Sequence, residues 1–240
     1  MINCCKTTGF VFKKEDNSEA DKVFFIFTEE LGRIKIFGRA IRKINSKLKS
    51  GIDIFSIAEI EFIQGKSKKT LTDAIFIKNF TNVKSSPKRF EIANKISRTI
   101  DDFVKQQEKD SQILKLLKTS FEKLNDNNLE KKNCDLIYYY FLWNFFSILG
   151  FKPEVQKCAS CFSNLDPKNI YFSCMEGGVI CENCCKNNKD VKIIDSDVIK
   201  ILRLILKNEW STIAKLKINC NCLKSLENIS TEYYFSLLEK

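Results

Sequence analysis

The strongest constraint on this chain lies in residues 158–184, which read CASCFSNLDPKNIYFSCMEGGVICENC. Two Cys-x2-Cys pairs, Cys158/Cys161 and Cys181/Cys184, stand 19 residues apart, a spacing that suits a four-thiolate structural zinc site. Each Cys-x-x-Cys turn aims two sulfurs at one point, and two such turns complete a tetrahedron with Zn–S bonds of roughly 2.3 Å. Between the pairs, Tyr171-Phe172 and Val179-Ile180 read as short strands on either side of a Glu176-Gly177-Gly178 turn, which brings the second pair back to the first. That is a zinc-ribbon layout with one Zn2+ per chain. Disulfides, or free cysteines that merely lie close in sequence, are the competing readings, and Cys174 and Cys185 are near enough to compete as ligands. A closed Cys4 site has no open coordination position, so it holds the chain together and performs no chemistry.

Other classes are bounded by what the chain lacks. It contains no histidine, which removes the usual general base, the Ser–His and Cys–His pairs and His-containing catalytic metal sites. No Gly-rich phosphate loop is present either. The expectation is therefore a protein that is not an enzyme. The chain has eleven cysteines, but its start, MINCCKTTGF, has no continuous apolar core, so no signal peptide is expected and the compartment is read as the reducing cytoplasm. The most apolar run, residues 136–149, contains Asn144 and Ser147 and falls short of the roughly 20 residues of a membrane span. It reads as a buried helix, and no membrane partner is expected.

The charge is uneven. Forty Lys+Arg against 30 Asp+Glu leave +10, an excess that favours a polyanionic partner, although an AT-rich genome would also enrich Lys, Ile, Asn and Phe. Residues 1–87 hold 16 Lys+Arg against 10 Asp+Glu, six of that ten. In the same stretch, runs rich in Val, Ile and Phe at 8–12, 22–28, 32–40, 52–63 and 71–80 predict five strands. Five strands in about 80 residues suit a small barrel, with an OB-fold the natural candidate and an SH3-like barrel the alternative. In the third strand, period 2 puts Ile34 and Ile36 on one side and Arg33, Lys35, Phe37 and Arg39 on the other. The run continues through Arg42, Lys43, Lys47 and Lys49 with no Asp or Glu between Leu31 and Ile52. Such a face attracts phosphates, and Phe37 offers a base-stacking surface; a solvated outer strand is the bland alternative. The second strand is apolar on both faces, so one must be covered, by the helical part rather than by a base.

After Ser86-Pro87, a helix start, the period becomes 3.6. Phe90, Ala93, Ile96, Ile100 and Phe103 mark one helical face, and Ile113, Leu114, Leu117, Phe121 and Leu124 another. The third helix, apolar all round, stops at Gly150; its Tyr138-Tyr139-Tyr140 and Trp143 read as core. Helices resume at Ser196, with Val198, Ile199, Leu202, Ile205 and Leu206 as a buried face, and a last segment spans 230–238. Cys220 and Cys222 are read as unligated. The fold class is thus α+β: a barrel over 1–83 and a helical domain over 84–240, with a ribbon inserted at 154–190.

The assembled pattern resembles the RecO family of bacterial DNA repair and recombination mediators. The resemblance rests on Gly9-Phe10-Val11-Phe12, Glu19-Ala20-Asp21-Lys22, Phe27-Thr28-Glu29-Glu30-Leu31-Gly32-Arg33-Ile34 and the basic loop after Gly38. It continues in Ile148-Leu149-Gly150-Phe151-Lys152-Pro153, Cys158-x-x-Cys161, Phe172, Gly177-Gly178 and Cys181-x-x-Cys184. It covers nearly the whole chain, most weakly between Pro87 and Lys132 and after Lys192. One departure is Phe162, where the family commonly has Gly. The resemblance implies a non-catalytic protein that binds single- and double-stranded DNA and anneals complementary strands. It also implies work with RecR and the C-terminal tail of single-stranded-DNA-binding protein in loading RecA. An RNA-binding ribbon protein of the translation or transcription machinery, or an adaptor whose basic face only solubilises it, are the rival readings.

Overall fold

The computed structural model describes residues 3–105, 109–166, 169–186, 188 and 191–239. They fall into two compact units, Met1–Cys134 and Asp135–Lys240. The first opens with five strands: β1 (Asn3–Asp16), β2 (Lys22–Thr28), β3 (Gly32–Gly38), β4 (Ser56–Gln64) and β5 (Lys69–Asn79). These close into a barrel in the order β1-β2-β3-β5-β4. Most seams are long and antiparallel; β1 pairs with β4 from Asn3↔Gln64 to Val11↔Ser56 and with β2 from Gly9↔Thr28 to Asp16↔Lys22. The barrel is shut by a short parallel seam in which Ile36↔Lys69 and Phe37↔Thr70 pair.

β1 pairs along both edges, with β4 over residues 3–11 and with β2 over residues 9–16, and a register shift between Val11 and Lys13 marks a bulge just past the overlap. It is longer than the predicted 8–12, since Asn3–Thr7 have no apolar run and are held by pairing with β4 rather than by propensity. β4 begins later than predicted. Phe55 adopts a left-handed backbone with φ 55°, so residues 52–55 turn inward while Ile52 and Phe55 remain buried. Inside the barrel, Val11, Phe24, Ile26, Ile34, Ile36 and Phe62 belong to one apolar cluster.

Three helices follow in this unit: α1 (Thr81–Ser85), α2 (Pro87–Phe103) and α3 (Ser111–Asn125). Pro87 opens α2, where its missing N–H costs nothing. α3 is capped by Asp110, whose carboxylate accepts from the amides of Gln112 and Ile113 at 2.8 and 3.1 Å. Phe121 of α3 is fully buried against Phe10, Phe55 and Phe80, with ring centroids at 4.5, 5.3 and 5.6 Å. α2 lies along β1, with Ser97 Oγ donating to the Phe12 carbonyl at 2.6 Å. Phe90 departs from the predicted core stripe: it is half-exposed, and Ile92 turns inward.

The second unit is built on α4 (Cys134–Ile148), whose Phe141, Trp143, Phe145 and Phe146 are all buried, as are Tyr139 and Tyr140. α4 ends where Gly150 adopts φ 90°. The strands β6 (Ile170–Ser173), β7 (Gly178–Cys181) and β8 (Val191–Ile193) form a sheet in the order β7-β6-β8, with α5 (Glu182–Cys185) directly after β7. Then come α6 (Ser196–Leu206), α7 (Trp210–Ile213) and α8 (Cys220–Leu238). Trp143 stacks on Tyr233 of α8 at 5.0 Å and donates from Nε1 to Ser230 Oγ at 3.0 Å. α8 is ten residues longer at its start than the predicted 230–238, because Asn219 caps it by accepting from the Cys222 amide at 2.7 Å. On α6, Ile201 rather than Leu206 completes the buried face. No helix among the described residues is long and apolar enough to cross a membrane.

Candidate nucleic-acid interface and metal centre

The four cysteines singled out by their spacing converge: the sulfurs of Cys158, Cys161, Cys181 and Cys184 all lie within 4.8 Å of one another. β6 and β7 pair from Ile170↔Cys181 to Ser173↔Gly178, so the hairpin returns the second cysteine pair to the first. Both glycines of its turn have a reason. Gly177 adopts φ 69°, and a side chain at Gly178 would meet the Glu154 carbonyl oxygen at 2.3 Å. The first knuckle is pinned beneath β7, with the Ala159 amide donating to the Val179 carbonyl at 2.7 Å and the Cys181 amide to Cys158 Sγ at 3.3 Å.

The spacing fits a metal and not a disulfide. Cys161 Sγ and Cys181 Sγ are 3.7 Å apart, near the roughly 3.8 Å edge of a tetrahedron with 2.3 Å bonds and far beyond an S–S bond of about 2.05 Å. All eleven cysteines are free of disulfides. The Ser163 hydroxyl draws the Cys161 thiol down to about 6, whereas sharing hydrogen bonds with Cys161 pushes Cys184 up to about 12. The four sulfurs thus share protons unequally through hydrogen bonds, and a cation at the centre would take the place of those protons. Phe162, closing the first knuckle, has φ 60°, a conformation glycine takes freely. Cys174 and Cys185 lie outside the converging group, as do Cys220 and Cys222 at the start of α8.

On the barrel, β3 alternates as its sequence predicts, with Ile34 and Ile36 buried and Lys35 exposed. Lys35 Nζ sits 5.4 Å from the Phe37 ring centre and 5.5 Å from that of Phe25. Arg33 behaves differently. Its guanidinium pairs with the Asp101 carboxylate of α2, donates to the Val104 carbonyl and lies 5.7 and 5.6 Å from the Phe12 and Phe25 rings. It fastens the end of α2 to the barrel rather than pointing outward with Lys35.

Beyond β3 the chain turns at Arg39-Ala40 and runs through a short 3-10 turn, Lys47–Ser50. The loop is anchored: the Arg42 amide donates to the Ala20 carbonyl at 3.0 Å, the Ala40 amide to Asp21 Oδ1 at 2.8 Å, and Ile41 is buried. Arg42 reaches Asp16 at 3.4 Å. Arg39, Lys43, Lys47 and Lys49 are exposed and have no carboxylate partner among the described residues. All eight predicted contact residues lie on β3 or its following loop; Arg33 is tied to Asp101 and Arg42 to Asp16, and the other six have no carboxylate partner among the described residues.

The structure adds residues that the sequence reading missed. Lys68 Nζ stands 4.8 Å from the Phe37 ring centre, so Phe37 is attended by one lysine from β3 and one from the β4–β5 turn, and Lys66 and Lys69 flank Lys68 in the same hairpin. The signal, Gly65-Lys66-Ser67-Lys68-Lys69, read as a turn alone. The parallel β3–β5 seam that sets this hairpin beside Phe37 leaves no mark in either strand's local pattern.

Two family descriptions account for both parts of the chain: Recombination protein O N terminal matches residues 1–80, and Recombination protein O C terminal matches residues 85–240. The class is therefore that of two-part recombination proteins. Relatives named DNA repair protein RecO are similar along nearly the full length. That of Dehalococcoides mccartyi is 31% identical over 92% of this chain and 86% of its own. Those of Caldanaerobacter subterraneus and Acetivibrio thermocellus are 26% and 25% identical, over 98% and 100% of this chain and 93% and 94% of their own. The chain belongs to the RecO family.

Proposed function

We propose that this protein is a DNA repair and homologous recombination mediator. In this reading it binds single- and double-stranded DNA, anneals complementary strands, and assists RecA loading together with RecR and the C-terminal tail of single-stranded-DNA-binding protein. The observation that carries the reading is the acid-free cationic run around Phe37 in a chain of this family. The barrel is an OB-fold over 1–83 whose outer row grips the strand. The helical domain over 84–240, with its insert at 154–190, supplies the remaining surfaces, and the site of action is the cytoplasm.

The physical work asked of the interface is modest. Strands repel through their phosphates, and each Lys or Arg that neutralises a phosphate releases a counterion, so two backbones approach and base pairing drives the rest. Phe37 presents a ring on which a base stacks, while Lys35 and Lys68 swing from the ring to the flanking phosphates. No covalent bond changes, which suits a chain without histidine. Cys158, Cys161, Cys181 and Cys184 are the residues that hold zinc. Bound there, zinc would supply folding energy, and four thiolate ligands would leave no position for a substrate.

Titration of single-stranded DNA, duplex and RNA of equal sequence at several salt concentrations tests the interface. DNA binding that weakens steeply with salt is expected, and equal or tighter RNA binding would favour the ribbon-protein alternative. Capture by RecR and single-strand-binding protein from the same organism tests the partners, and failure with both would overturn the mediator role.

A further inference from the structure

At one end of the barrel the basic loop closes over a cleft of about 480 Å3, within the usual size of small-ligand sites. Its chemistry is divided. The floor is apolar and aromatic: Phe24 and Ile41, both buried, with Phe76 of β5 half-buried beside them. The rim is cationic, made by Lys14 at the end of β1, Lys22 at the start of β2, and Arg42 and Lys49 from the loop. Asn79, at the end of β5, brings an exposed side-chain amide to the same cleft.

The rim charge is not cancelled from within. Asp53 is the lining carboxylate, and it is taken up by Lys14 at 2.6 Å and Lys84 at 2.9 Å. Burial opposes its ionisation, but those two ammonium groups outweigh burial and hold its carboxyl below the ordinary value. Asp16 faces two cations at once, Lys22 at 3.3 Å and Arg42 at 3.4 Å. Lys49 has no carboxylate partner among the described residues. Five cations thus meet two carboxylates, leaving an excess of three positive charges around an aromatic floor.

We propose that this cleft is a nucleotide pocket, seating the base of one nucleotide against Phe76 and the edge of Phe24, and its phosphate among Lys22, Arg42 and Lys49. The inference rests on the nucleic-acid reading of the barrel and deepens it, adding a site that takes a single unit to the track that follows the backbone. A flat, weakly polar ring joined to a phosphate matches a floor and rim so divided, and the Asn79 amide offers a donor and an acceptor to the base edge. Inorganic phosphate satisfies only the rim.

The test is titration of the full chain with dTMP and with inorganic phosphate, followed by amide NMR shifts. dTMP should perturb Phe76 and Asn79 and bind at least about tenfold more tightly than phosphate. Lys49→Glu, at an exposed position, should weaken dTMP about tenfold, the equivalent of one charge-assisted contact. Asn79→Ala should alter the preference among the four deoxynucleoside monophosphates. An oligo(dT) that displaces dTMP assigns the pocket to a nucleotide of the bound strand; dTMP that stays bound beside the oligomer assigns it to a free nucleotide. Equal binding of phosphate and dTMP, or no effect of Lys49→Glu on either, would overturn the pocket. If oligo(dT) still bound salt-dependently in that case, the broader interface would stand. A chain that bound dTMP but no oligonucleotide would retain the pocket and lose the interface.

Discussion

Arg33 separates two roles that one basic row mixes. Its side chain is 14% exposed and that of Asp101 is 24% exposed, so the pair is screened little by water. Arg33→Ala removes the ion pair, the bond to Val104 and the packing of the guanidinium on Phe12 and Phe25. Asp101 is not left stranded, because Lys13 remains 2.7 Å away. The loss is therefore smaller than for an orphaned buried charge, about 2–3 kcal/mol. For a unit of this size that corresponds to roughly 6–12 °C in melting temperature. Burial pushes the Asp101 carboxyl up, but the Lys13 hydrogen bond and the Arg33 and Lys13 charges prevail and hold it below its ordinary 3.8. A depressed folded value means that the stabilisation is complete above about pH 4 and is lost as pH falls through the folded value. The gap between wild type and Arg33→Ala should accordingly narrow below pH 4. Calorimetry across pH, paired with salt titrations on single-stranded DNA, checks both sides. Lys43→Ala, at an exposed loop position, should leave stability within about 0.5 kcal/mol and reduce the salt slope by about 0.7. The assignment of Arg33 fails if Arg33→Ala melts like wild type and lowers the salt slope by a full contact.

Elemental analysis should find one zinc per chain, and Cys181→Ser or chelation should lower the melting of the Asp135–Lys240 unit, because binding energy at a structural site is folding energy; metal-free protein with unchanged melting would contradict this. Phe37→Ala should cost about 1–3 kcal/mol on single strands, less on duplex, and leave the salt slope in place; a loss equal on both substrates would count against stacking. Phe162→Gly should raise stability by about 1 kcal/mol by releasing a left-handed backbone that glycine adopts without penalty, as measured by denaturant melts, and a less stable variant would show that the ring itself is needed.

What could be read in advance depended on whether the cause was local. Cysteine spacing located the knuckles because two short turns fix their own geometry, and period 2 along residues 32–38 sorted Ile34 and Ile36 from Lys35 without any partner strand. The helix over 136–149 was legible from its uninterrupted apolar residues, and Ser86-Pro87 from the chemistry of a helix start. Arg33 was not legible: its partner is 68 residues away on a helix, and period 2 assigns a face without saying what covers it. Lys68 was missed for the same reason, since a parallel seam joined Phe37 to Thr70 across a long connection. The start of α8 was not legible because residues 220–229 show no clean apolar stripe ahead of the 230–238 segment, and the residue that sets it is the cap, Asn219.

The two-pair closure between β3 and β5 also sets where the barrel comes apart first. Opening free energy rises with the number of bonds that must break together, and Ile36↔Lys69 and Phe37↔Thr70 are few beside the run of nine pairs that binds β1 to β4. Breathing of the barrel therefore begins directly beneath Phe37. A polymer lying across that ring would touch Lys35 on one lip and Lys68 on the other, and so act as a clasp. Among residues 36, 37, 69 and 70, the amides that point across this seam rather than toward β2 or β4 should be the barrel's fastest to exchange when the protein is alone, and should slow more than the rest once it is loaded.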